Sequence, residues 1–133
     1  MINYPEKAVY TYDDLVDILR ILRAPDGCPW DREQTHESNR RNFLEEAYEA
    51  AEAFDLDDPE LMKEELGDVL FAAVKVGRFC GVDPEAALSK TCEKFIARFR
   101  KVEETVNARG EDISALPRDE LMALWNNAKE QLR

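Results

Sequence analysis

Two stretches of the chain set carboxylates three residues apart. One is Phe43-Leu44-Glu45-Glu46-Ala47-Tyr48-Glu49-Ala50-Ala51-Glu52-Ala53-Phe54, and the other is Glu64-Glu65-Leu66-Gly67-Asp68. In an α-helix, residues three or four apart share a face, and each residue turns the helix by about 100°. On that wheel Glu46 falls at the edge of a broad apolar arc. Glu49 is the next position outward, and Glu45 and Glu52 point further toward solvent. Ala50 and Ala53 leave room beside these acids. In the second stretch Glu65 falls inside the apolar arc, flanked by Leu61, Val69, Ala72 and Val76, with Asp68 beside it and Glu64 facing away. A buried carboxylate without a partner is costly, and several together repel one another. Glu65 therefore calls for a basic side chain from another helix or for a metal ion shared with Glu46 and Glu49. All-oxygen ligation by Glu46, Glu49, Glu65 and Asp68 would suit Mg²⁺, with Mn²⁺ as a substitute. Zinc would want a His or Cys cluster, and a di-iron bundle would want Glu-x-x-His pairs. The plain alternative is a solvated acidic face, which serves Glu45, Glu52 and Glu64 well and Glu65 poorly.

These acids sit in a strongly negative chain. Its 133 residues carry 18 Lys+Arg against 29 Asp+Glu, a net charge of −11. That balance argues against a nucleic-acid polymer as partner, since phosphate backbones attract basic surfaces. It allows a phosphate ligand that arrives with a cation. The size fits one domain over residues 1–133, and 44% hydrophobic residues can build a core. No apolar run reaches the roughly 20 residues that span a bilayer. The opening residues lack the pattern of a secretory signal. Cys28, Cys80 and Cys92 form no CxxC pair, and the reading is a cytoplasmic protein with no membrane contact.

The elements that would position the acids are helices, because no alternating strand or hairpin signal is present. A first helix begins at Thr11, with Asp14 three residues on as a relative of a capping box, and stops before Pro25. Residues 25–37 read as an ordered loop containing Trp30 and His36. A second helix runs from Ser38, as N-cap, to about Leu56. A third runs from Pro59 to about Cys80, with Gly81 closing it. Asp83-Pro84-Glu85 opens a fourth that lasts to about Asn107, and a fifth spans about Pro117 to Leu132. The expectation is an all-α bundle of about five helices. Wide apolar arcs favour completion as a homodimer or homotetramer. Cys80 and Cys92 read as small apolar packing residues, and His36 as an organiser of the loop.

The motif Glu45-Glu46-x-x-Glu49 followed by Glu65-x-x-Asp68 resembles the EExxE…ExxD signature of MazG-type nucleoside triphosphate pyrophosphohydrolases. Gly27-Cys28-Pro29-Trp30-Asp31, Gln34-Thr35-His36, Lys94-Phe95-x-x-Arg98-Phe99 and Leu124-Trp125-x-x-Ala128-Lys129 extend the likeness over about residues 11–132. Many such proteins carry two of these domains. The opening loop here resembles an N-terminal one and the Lys94–Lys129 stretch a C-terminal one. The resemblance implies an all-α enzyme that converts a nucleoside triphosphate to monophosphate and pyrophosphate with Mg²⁺. It implies that Glu46, Glu49, Glu65 and Asp68 hold the metal and that Lys94 and Arg98 contact phosphates. Trp125 and Lys129 would contact the nucleotide at the rim, and Trp30 would stack on the base. Housecleaning of non-canonical (d)NTPs is a further implication.

Charge supplies the mechanistic expectation. A triphosphate meeting four carboxylates is repelled unless cations neutralise both. Attack by water on the α-phosphorus would then expel pyrophosphate in line, with Glu45, one turn before Glu49, as candidate base or as a support to the metal ligands. Lys94 and Arg98, at i and i+4, can reach one anion. Lys90 and Lys101 extend that basic flank, which could instead be merely exposed. Trp30 could equally anchor its loop, and Trp125 could belong to the core. The rival functions are a non-catalytic nucleotide- or metal-binding regulator with the same fold and a plain helical interaction module.

Overall fold

The protein is described by a computed structural model covering residues 2–4 and 6–133. Among these residues the regular structure is entirely helical: α1 (Tyr12–Leu22), α2 (Pro29–Arg32), α3 (His36–Leu56), α4 (Pro59–Phe79), α5 (Pro84–Ala108), a 3₁₀ turn (Ile113–Ala115) and α6 (Arg118–Gln131). None of the described helices is long and apolar enough to cross a membrane. The chain divides into two compact units, Met1–Pro84 and Glu85–Arg133.

The first unit is built from helix ends that the sequence specifies tightly. At α1, the Thr11 hydroxyl accepts from the Asp14 backbone N–H while Asp14 Oδ2 accepts from the Thr11 N–H at 2.9 Å, a full capping box. Lys7 ion-pairs with the other oxygen of Asp14. The Lys7 hydrogen bond, then the Thr11 backbone N–H, pull the Asp14 carboxyl down to about 2. The chain then turns at Gly27, whose missing side chain is a requirement. A Cβ there would collide with the backbone carbonyls of Ile21 and Leu22. The turn is closed by Gly27 N–H to Ala24 C=O and Cys28 N–H to Leu22 C=O, both 2.8 Å.

Two details depart from the sequence reading. The loop before α3 contains a single helical turn, α2, opened by Pro29 at its first position. A turn that short is invisible to helical periodicity. The N-cap of α3 is Thr35, not Ser38. Ser38 stands at the third position of a capping box, its hydroxyl accepting from the Thr35 N–H at 2.9 Å while Thr35 Oγ1 accepts from the Ser38 N–H at 3.1 Å. Both residues are good caps, and the reciprocal pair places the start three residues earlier.

Helices α3 and α4 pack on each other as a hairpin with a two-residue connection. Asp57 ends α3 in the left-handed conformation, φ 52°. Asp58 caps α4, accepting from the Glu60 and Leu61 N–H groups at 3.1 Å. Ala50 and Ala53 of α3 and Ala72 of α4 are buried, and such small residues let the two backbones lie close. Val74, also buried, turns toward α1 beside Leu15 and Ile18. The second unit has its own core of Val102, Val106, Leu124 and Ala128. Ile113, Leu116, Leu121 and Trp125 pack against it.

Candidate metal centre

The α3–α4 hairpin brings Glu46 and Glu49 from one helix against Glu65 of the other. One carboxylate oxygen from each lies within 4.8 Å of the others. Glu46 and Glu65 are half-buried and Glu49 is exposed. Asp68, the fourth acid of the motif, is exposed and stands outside that tight group. Its charge still reaches Glu65, whose carboxyl is pushed above its ordinary value by burial first, then by Glu49, Asp68, Glu64 and Glu46. Among the described residues none of the four acids forms an ion pair. Of the two partners that the sequence allowed for Glu65, the basic side chain is therefore not found.

The donor set fits a hard divalent cation. Octahedral Mg²⁺ with oxygens at about 2.1 Å sets those ligands about 3 to 4 Å apart. The three carboxylates, with one oxygen each within 4.8 Å of the others, stand near such spacing.

Two residues that the sequence reading did not single out attach to this cluster. Asn42 Nδ2 donates to Glu46 Oε1 at 2.9 Å, and Asn42 Oδ1 accepts from Lys75 Nζ at 2.8 Å. The same ammonium lies 5.7 Å from the centre of the Trp30 ring. A signal for both was present. Asn42 precedes Glu46 by one helical turn, and Lys75 is the one charge in the apolar run Val69–Gly77.

Trp30, carried on α2, is 63% exposed. It lines a cavity of about 410 Å³ with Gln34, Thr35, Arg41, Asn42 and Glu45. Thus the candidate base-stacking ring, the candidate proton acceptor Glu45 and the Asn42 link share one opening. His36 packs edge-on to Phe79 at 5.0 Å, while the Arg23 guanidinium covers Phe79 at 5.1 Å. This contact ties the start of α3 to the end of α4, in keeping with an organising role. Cys80 and Cys92 are exposed, which corrects the expectation that they pack inside. Cys80 lies at the C-cap of α4, where the apolar face has ended, and Cys92 falls on the solvent side of α5.

In the second unit Arg98 and Lys129 line a cavity of about 360 Å³ with Asn126, Glu130 and Arg133. The Arg98 Nε is buried without a hydrogen-bond partner among the described residues, an orphan donor of the kind that calls for an acceptor. Lys94 is exposed and does not line that cavity. Trp125 is half-buried against the core, its ring 5.3 Å from Phe95. It is therefore at least partly a packing residue.

Comparison with known proteins converges on one family. Residues 34–103 match the MazG nucleotide pyrophosphohydrolase domain. The chain is 49% identical over 69 residues to the nucleoside triphosphate pyrophosphohydrolase/pyrophosphatase MazG of Thermotoga maritima, covering 52% of this chain and 27% of that one. It is 40% identical over 84 residues to the nucleoside triphosphate pyrophosphohydrolase of Escherichia coli K12, covering 63% and 31%. Against the uncharacterized protein YabN of Bacillus subtilis it is 34% identical over 130 residues, covering 94% and 25%. The chain thus spans about a quarter to a third of the length of these relatives. The crystal structure of a mazG-related protein from T. maritima superposes with a TM-score of 0.62 at 26% identity, covering 89% of this chain and 98% of that one.

Proposed function

The chain belongs to the MazG nucleotide pyrophosphohydrolase family, and from that membership we propose that it hydrolyses a nucleoside triphosphate to the monophosphate and pyrophosphate, with Mg²⁺ or Mn²⁺ as cofactor. The observation that carries this reading is the meeting of Glu46, Glu49 and Glu65, none of which forms an ion pair among the described residues. A cation held by these three, with Asp68 beside them, would neutralise acids and triphosphate together and polarise the phosphoryl oxygens.

The remaining roles fall to the chain's own side chains. Trp30 offers an aromatic face to the base at the mouth of its cavity. Glu45, in the same lining, takes the proton of the attacking water. The water oxygen bonds to the α-phosphorus, the α–β bridging bond breaks, and its oxygen departs with pyrophosphate. Lys94, Arg98 and Lys129 are the proposed phosphate contacts, with Arg98 best supported by its unpartnered buried nitrogen. Trp125 is the proposed rim contact to the nucleotide. The substrates to try first are non-canonical (d)NTPs, met in the cytoplasm as free nucleotides.

Self-association as a homodimer or homotetramer is part of the proposal. It is supported by an apolar groove on α1 and α4, lined by Tyr10, Tyr12, Leu15, Ile18, Leu70 and Phe71. Incubation with a panel of (d)NTPs and Mg²⁺ is expected to release pyrophosphate and monophosphate in equal amounts, and chelation of the metal to stop it. Release of orthophosphate instead would overturn α-phosphorus attack. Nucleotide binding without turnover would favour a regulator with this fold.

A further inference from the structure

We propose that Lys75 is a positioning residue for the acidic cluster, acting through Asn42 to hold Glu46 in the orientation that a divalent cation needs. The chemistry of the three groups fixes the direction of the link. An ammonium only donates, so the Asn42 atom facing Lys75 at 2.8 Å must be its carbonyl oxygen. That leaves the amide nitrogen pointing the other way, where it can only donate. Glu46 Oε1 receives it at 2.9 Å. The amide can therefore stand in one orientation only, and one oxygen of Glu46 is tethered by it.

Lys75 is itself held in place. It is half-buried on α4, and its ammonium lies 5.7 Å from the Trp30 ring centre, an attraction that keeps it from swinging into solvent. The link crosses from α4 to α3, the same two helices that supply Glu65 and the Glu46/Glu49 pair. It thus fixes a ligand from one helix by a residue of the other. Groups of this kind, hydrogen-bonded to metal ligands, set ligand orientation and so affinity.

A role through charge alone predicts the opposite sign. A cation near carboxylates repels a divalent ion, so removing it should tighten binding. Positioning predicts that removing it weakens binding. The test is Mn²⁺ titration of the nucleotide-free full chain by isothermal titration calorimetry, with far-UV circular dichroism as the check on folding. Lys75→Met, which keeps the stem and loses the donor, should weaken Mn²⁺ by about tenfold. Asn42→Leu, which alters no charge, should do the same. The double variant should bind no more weakly than the weaker single. Lys75→Arg, which keeps a donor, should stay within about threefold of the parent.

Equal or tighter binding by Lys75→Met, or additive losses in the double variant, would overturn the inference. The inference rests on the cation reading of Glu46, Glu49 and Glu65, and failure of the parent chain to bind Mn²⁺ would overturn that reading and this one with it. A parent that binds while Lys75→Met is unimpaired would overturn this one alone.

Discussion

Glu65 sits half-buried on α4 with like charges on two helices around it, and burial first, then Glu49, Asp68, Glu64 and Glu46, raise its carboxyl above the ordinary range. A carboxyl raised in the folded chain opposes folding once it ionises. Its cost is absent below the unfolded value and grows as pH rises through the folded one. Glu65→Gln is therefore expected to raise the melting temperature of the cation-free protein at pH 7 by a few degrees. That gain should fade as the pH falls past the ordinary carboxyl value of about 4, where the acid of the unfolded chain is protonated too. The same variant should abolish turnover and leave the helical content near that of the parent. Thermal melts across pH, set beside a pyrophosphate assay, check both halves. A variant that unfolds, or that keeps full activity, would contradict them. Stability given up at a site of function is the expected pattern for a ligand cluster.

Helix ends are the second level at which the sequence acts. Asp14 closes the capping box of α1 and takes the Lys7 ion pair, and these bonds hold its carboxyl at about 2. A depressed carboxyl stabilises the fold above the unfolded value near 4, and that contribution is lost as pH falls toward 2. Asp14→Asn should lower the melting temperature at pH 7, and the gap between variant and parent should close between about pH 4 and pH 2. A gap that stays constant over that interval would mean the charge is not what matters. The caps of α3 and α4 matter more directly for function. Thr35 and Asp58 set where those helices begin, and hence the rotational position at which their acids emerge.

For the whole molecule, net charge and exposed apolar surface pull in different directions. A net charge of −11 keeps copies apart. Yet Leu70 is 67% exposed and Phe71 40%, on a groove whose lining is almost wholly apolar. Surface of that kind marks an interaction site. Leu70→Glu is expected to shift the protein toward the 15.3 kDa monomer in sedimentation analysis, from a dimer or tetramer in the parent. A parent that already sediments as a monomer at micromolar concentration would refute self-association. The dissociated form should keep its helical content, because Leu70 contributes little to the interior of its own unit.

Much of this was written in the chain's one-dimensional pattern, because the periods involved are local. The caps at Thr11 and Asp58 follow from side chains reaching backbone groups within one turn, and the Pro84 start follows from a ring that fixes φ and has no N–H to leave unpaired. The three-residue spacing of Glu46/Glu49 and the apolar setting of Glu65 follow from helical rotation alone. What local pattern misses is set by contacts between elements. The partnership of Asn42 with Lys75 joins residues 33 positions apart. The exposure of Cys80 and Cys92 depends on which faces find a neighbour. Whether Asp68 joins the other acids depends on how α3 and α4 rotate against each other, and here it stays at the edge. Periodicity tells which face of a helix is apolar. Only packing decides what that face meets, since burial is a property of pairs of surfaces and a single helix carries just one of them.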